Sequence, residues 1–134
     1  MRYLIDTDTA SYFLRGGYPD LDRRLRAAIR AGEAAISAMT RAEMRYGQYS
    51  TTMGLPRIRL QDSFLQEIPN LDWTPQAADE YGHLRAELEK AGTPIGILDT
   101  QIAAHALALD LILVTNNQKH FKRVEGLRTE NWTR

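Results

Sequence analysis

Cysteine is absent from the 134-residue chain. Its absence removes disulfides, thiolate metal ligands and thiol nucleophiles together, and it is compatible with a reducing cytosol. Lysine is scarce, with Lys90, Lys119 and Lys122 the only examples. Net charge is missing too: seventeen basic and seventeen acidic side chains cancel, so a polyanionic partner has to be met by a local cluster of Arg and Lys. There is no long hydrophobic run. The longest apolar stretch, Ile102 to Val114, is interrupted by His105 and Asp110 and falls short of the roughly 20 residues a membrane helix needs. Near the N-terminus the apolar Tyr3-Leu4-Ile5 is cut off by Asp6 and Asp8, too brief for a signal-peptide core. These absences lead us to expect a soluble, cytoplasmic protein with no membrane partner.

What is present is ordinary for a globular domain, with 43% apolar and 25% charged residues, and the length suits one domain over 1–134. Tyr3-Leu4-Ile5 reads as a short buried strand, and Asp6-Thr7-Asp8 as polar residues able to cap a helix over Tyr12 to Leu14. Leu21, Leu25, Ala28 and Ile29 stand at helical spacing between Asp20 and Ala31. Ala34 to Ser37 reads as a second strand, and Thr40 to Tyr49 as another helix. Leu60, Phe64, Leu65 and Ile68 predict a helix, Pro69 to Trp73 a short extended piece, and Pro75 the start of a long helix through Tyr81, Leu84 and Leu88. After a break at Gly92 to Gly96, Asp99 heads a helix over Thr100 to Leu109. Leu111 to Val114 is a further strand, and Leu127 to Thr129 a last edge strand. Strands alternating with helices predict an α/β fold: a mostly parallel sheet of about four to five short strands with helices on both faces. No repeat, linker or low-complexity tract divides it.

In such a sheet the carboxyl ends of the strands share one edge, where ligands bind. Asp6 ends the first strand, Glu43 lies in the first turn after the second, Asp99 heads a late helix, and Asn117 follows a further strand. Three converging carboxylates raise each other's pKa values, so the cluster is tolerable mainly around a divalent cation, and oxygen-only ligands point to Mg2+ or Mn2+. Each acid also has a structural use. Thr40-Arg41-Ala42-Glu43 fits a capping box, and Asp6, Asp8 and Asp99 can cap helices. Asp6-Thr7-Asp8-Thr9 after an apolar strand also suits an aspartyl-phosphate phosphatase, although no adjacent acidic pair follows a later strand. His105, on an apolar face, is expected to be a hydrogen-bonded core histidine, and His120 a surface residue. His83 carries no signal.

Taken together, Tyr3-Leu4-Ile5-Asp6-Thr7, Ser37 to Gly47, Arg85 to Leu88, Pro94-Ile95-Gly96 with Asp99, Ile102 to Ala106, Val114-Thr115-Asn116-Asn117 and the closing Val124 to Trp132 resemble the VapC toxins of bacterial toxin–antitoxin pairs. The resemblance spans nearly the whole chain in order. It implies a PIN-like fold, a Mg2+ or Mn2+ site, endonucleolytic cleavage of structured RNA such as tRNA or rRNA that inhibits translation, neutralisation by a VapB-like antitoxin, and a homodimer or higher toxin–antitoxin assembly. Asp6, Glu43 and Asp99 match the family's acidic ligands, Thr7 and Thr115 its hydroxyls beside the site, and Arg85 a basic residue on its long helix. Asp8 stands where Asn is common, Asn117 where Asp is common, His120 where several relatives carry Glu, and Asp110 where Gly is common. Asn117 adds no negative charge, so a second cation should be recruited more weakly. Asp110 is expected to adopt the left-handed conformation of a helix end.

For the mechanism, the catalytic set is Asp6, Glu43, Asp99, Asn117 and Thr115, with in-line hydrolysis leaving 5′ phosphate and 3′ hydroxyl ends. Thr7, Arg41, Arg85 and Lys119 are candidates to bind RNA, with Arg45, Lys122 and Arg123 close by in sequence. Tyr12, Phe13, Tyr46 and Tyr49 are candidates for a groove that receives an antitoxin helix. A third reading is a catalytically inert PIN-like module that binds RNA or a partner.

Overall fold

A computed structural model describes all of residues 1–134. Five strands and seven helices follow one another as β1 (Tyr3–Ile5), α1 (Thr7–Arg15), α2 (Pro19–Arg30), β2 (Ala34–Ser37), α3 (Ala38–Ser50), α4 (Leu55–Glu67), β3 (Asn70–Leu71), α5 (Pro75–Lys90), α6 (Ile97–Ala108), β4 (Ile112–Val114), α7 (Gln118–Phe121) and β5 (Thr129–Glu130). The strands form one sheet in the order β3-β2-β1-β4-β5, and every pairing is parallel. Leu4 of the central strand lies opposite Ala35 on one side and Leu113 on the other.

Alternation along β1 explains the layering. Tyr3 and Ile5 point into a core with Ala10 of α1, Leu21, Leu25 and Ala28 of α2, and Phe64 and Leu65 of α4. Leu4 points into the opposite core with Leu84 and Leu88 of α5 and Ile102, Ala103 and Ala106 of α6. Successive strand side chains face opposite sides, so a strand apolar at every position needs helices on both faces. Trp132 closes the first core at 2% exposure, packed edge-on to Tyr3 at 4.9 Å and hydrogen-bonded through Nε1 to Glu130 Oε1.

Several element boundaries depart from the sequence reading. α3 begins at Ala38 with Ser37 as its cap, whose Oγ accepts from the Met39 N–H at 3.0 Å. Thr40 is therefore inside the helix, and the capping box with Glu43 does not form. α4 starts at Leu55, five residues before Leu60, because Gly54 at the cap and Pro56 in the first turn initiate it. α6 starts at Ile97, after Gly96 at φ +93°, so Asp99 is the third helical residue and caps nothing. The last strand is Thr129–Glu130, and the single turn α7 had no signal in the apolar pattern. Asp110 does take the left-handed conformation, at φ +54°, where Arg128 Nη2 donates to its carbonyl at 2.9 Å and its Oδ1 at 3.0 Å.

Candidate active site at the carboxyl edge of the sheet

β1 and β4 are hydrogen-bonded neighbours, and the residues that leave their carboxyl ends, Asp6 and Thr115, are both buried. The Asp6 N–H donates to the Val114 carbonyl at 3.1 Å, which continues the ladder by one residue and fixes the Asp6 backbone. Its Oδ1 accepts from the Thr9 N–H at 2.7 Å and caps α1. Burial pushes the Asp6 carboxyl above the ordinary carboxylate range, hydrogen bonds from Thr115 and Thr9 pull it back, and the charge of Asp8 pushes it up again.

Asp99, half-buried in the first turn of α6, is also raised, first by burial. His120 opposes that shift by its charge and a hydrogen bond, whereas Asp8 adds to it. The charge of Asp8 is thus felt by both Asp6 and Asp99. The sequence reading had given Asp8 no place among the metal ligands. Its position three residues past the end of β1 was the available signal.

His120 corrects the sequence reading more sharply. It is not a free surface histidine: Nε2 lies 3.0 Å from Asp99 Oδ2 and 2.9 Å from the Ile95 carbonyl oxygen, because α7 turns it back toward α6. His105 is buried as expected, with Nδ1 at 2.8 Å from Ser37 Oγ and its ring edge-on to Trp73; burial lowers its pKa. Ser37 Oγ, which also accepts from the Met39 N–H, thus links the His105 ring to the start of α3.

The remaining expected residues divide. Glu43 is exposed on α3 and forms no hydrogen bond or ion pair, leaving its carboxylate uncommitted. Asn117 is exposed and precedes α7; its N–H donates to Thr115 Oγ1 at 3.0 Å. Thr7 Oγ1 shares a 3.0 Å hydrogen bond with Thr40 Oγ1, tying α1 to α3. Arg41 donates to Asn70 Oδ1 at 2.9 Å, and Arg85 to Glu89 Oε1 at 2.8 Å and Tyr81 Oη at 3.2 Å, so neither guanidinium is free. Lys119 is exposed and unpaired. Two arginines that the sequence reading missed, Arg15 and Arg57, also make no ion pair. They line a cleft of about 540 Å³ between α1 and α4 that begins at Asp8 and includes Leu14 and Leu60. Tyr12, Phe13, Tyr46 and Tyr49 do not line one groove. Tyr12 packs on Tyr18 and Phe13 on Phe64, while Tyr46 and Tyr49 stand exposed on α3.

No three acidic or histidine side chains form a ready-made metal cage. The donors nevertheless fit a hard cation in kind. Asp6 is a buried carboxylate that no Lys or Arg neutralises, and the only imidazole contact at the edge goes to Asp99.

A family model for the PIN domain matches residues 3–127. The chain belongs to the PIN-domain family. Within that family it is 37% identical over 132 residues to ribonuclease VapC2 of Haemophilus influenzae, covering 98% of each chain. It is 34% identical over 133 residues to the tRNA(fMet)-specific endonuclease VapC of Shigella flexneri, covering 99% of each. Among solved structures, VapBC2 from Rickettsia felis bound to a DNA fragment from their promoter matches with a TM-score of 0.90 at 34% identity, over 98% of this chain and 99% of that one. DNA-bound VapBC from Salmonella typhimurium matches with a TM-score of 0.91 at 31% identity, over 98% of each chain. This PIN-domain protein is accordingly a member of the VapC ribonuclease group, and the fold expected from sequence is the fold found.

Proposed function

We propose that this PIN-domain protein is a Mg2+- or Mn2+-dependent endoribonuclease that acts as the toxin of a toxin–antitoxin pair, cleaving tRNA or rRNA in the cytoplasm and so inhibiting translation. The observation that carries the metal reading is Asp6, a buried carboxylate raised by burial and by Asp8, with no Lys or Arg at hand to neutralise it. A divalent cation, when bound, supplies the missing charge and lowers the pKa of an attacking water. Asp6 and Asp99 are the residues that hold it. Glu43, exposed and without a partner, is placed to engage it directly or through water. Thr115 orients Asp6 by hydrogen bonding, and Asn117, next along the chain's turn, offers an amide to order water at the same edge.

The strand of RNA approaches through the cleft beside Asp8, where Arg57 and Arg15, the latter stacked on the Tyr12 ring but without an ion pair, can meet phosphates, and Lys119 is a further unpaired cation. Arg41 and Arg85 have to exchange existing partners to take part. A VapB-like antitoxin and a second copy of the chain are the protein partners of this reading. The exposed Tyr46 and Tyr49 are the apolar surface they would cover.

The test is digestion of total bacterial RNA by the wild type and by Asp99→Asn, each with Mg2+, Mn2+ or EDTA, with the product ends mapped. Discrete fragments carrying 5′ phosphate that require both the metal and Asp99 are expected. Cyclic phosphate ends would reject the metal mechanism. RNA binding without cleavage would favour the inert module, and release of phosphate from small esters would favour the phosphatase built on Asp6 and Asp8.

A further inference from the structure

His120 makes contacts that the proposed reaction does not use. Its Nε2 lies 2.9 Å from the Ile95 carbonyl oxygen and 3.0 Å from Asp99 Oδ2. A carbonyl oxygen only accepts, so Nε2 carries a proton, which it donates to that carbonyl with Asp99 Oδ2 close beside it, and is not available as a ligand for a cation. Three pieces of chain meet at that proton: the loop before α6, the first turn of α6, and α7. The ring itself is held, since its side chain is 23% exposed and stands edge-on to the buried Phe121 at 5.4 Å. Asp99, at 43% exposure, has no other hydrogen-bond donor on its side chain.

We infer that His120 is a positioning residue for Asp99. It holds Oδ2 by hydrogen bonding and leaves Oδ1 to face the cation, so that the carboxylate is aimed before metal arrives. This is the usual histidine–carboxylate metal pair with the roles exchanged: the carboxylate is the ligand and the imidazole its outer support. A second acid at this position would repel Asp99; the imidazole N–H fixes it. The inference rests on the proposed role of Asp99 as a metal ligand.

Two measurements test it and separate its failure from that of the metal reading. The first is 15N NMR of the histidine rings in the metal-free wild type, where His120 should show a protonated Nε2. The second is Mn2+ binding, followed by EPR of the free ion, for the wild type, His120→Ala and His120→Gln. Outer-sphere partners of metal ligands typically govern about 10- to 100-fold in affinity, so His120→Ala should weaken Mn2+ binding at least about tenfold. His120→Gln, whose amide can donate in place of the ring, should recover most of it. An unprotonated Nε2, unchanged Mn2+ affinity in His120→Ala, or equal losses in the Ala and Gln variants would overturn the inference. A wild type that shows the protonated ring yet binds no Mn2+ would overturn the metal reading, and this inference with it.

Discussion

At the scale of single residues, Asp6 serves two ends that conflict when no cation is present. One oxygen caps α1 by accepting from Thr9, yet the carboxylate is only 6% exposed and lies near Asp8. Its pKa in the fold is raised above 3.8, so the native state holds this proton more tightly than the unfolded chain. The stability linked to that proton is fully present below 3.8 and is lost as pH rises through the folded value. At neutral pH an ionised Asp6 therefore works against folding. Asn caps a helix about as well as Asp, so Asp6→Asn keeps the cap and removes the charge. The expected outcome is a higher melting temperature than wild type at pH 7 without divalent ions, with the difference shrinking toward zero near pH 3.5, as calorimetry at the two pH values would show. The same substitution should abolish cleavage, so the variant would be more stable and inactive. An Asp6→Asn protein that melts lower than wild type at pH 7 would contradict this account.

At the scale of elements, the ends of helices decided what could be read from sequence. The strand-then-helix order and the placing of Asp6 at the end of β1 were legible because Tyr3-Leu4-Ile5 and Leu111 to Val114 are apolar throughout and end in polar residues. The beginnings of α4 and α6 were not, since Leu55 and Ile97 sit outside the apolar stripes at 63% and 52% exposure. α7 was invisible for a related reason: one turn with a single buried residue, Phe121, has no period to detect. That hidden turn is what brings His120 to Asp99. Two of the expected RNA-binding arginines, Arg41 and Arg85, already hold partners that sequence spacing does not reveal, Asn70 and Glu89 respectively. The end of α6 gives a further test. Asp110 sits at φ +54°, a conformation that costs a β-branched residue about 1–2 kcal/mol. Asp110→Val should lose at least that much in urea unfolding. Asp110→Gly should stay within about 1 kcal/mol of the parent, since the exposed contact to Arg128 that it gives up is worth little. Equal losses in the two variants would show that the Arg128 contact, not the backbone, sets the stability of this turn.

At the scale of the whole molecule, the sheet order has a temporal meaning. The central strand is the first to be made, yet one of its two partners, β4, begins at Ile112. The site residues follow the same division, with Asp6 in the first strand's wake and Asp99 and Thr115 roughly a hundred residues later. While the protein is being synthesised, the ribosome thus carries a nascent chain whose first strand lacks the neighbour that fixes Asp6, because the Asp6 N–H needs the Val114 carbonyl. Contacts this distant in sequence form late in folding. A nascent chain stalled before Ile112 should remain sensitive to protease and show no protected α1, whereas the released full-length chain should resist. On this topology the nuclease edge is assembled only after β4 has been made, which keeps an RNA-cutting site from forming on the ribosome while the chain up to Ile112 is being translated.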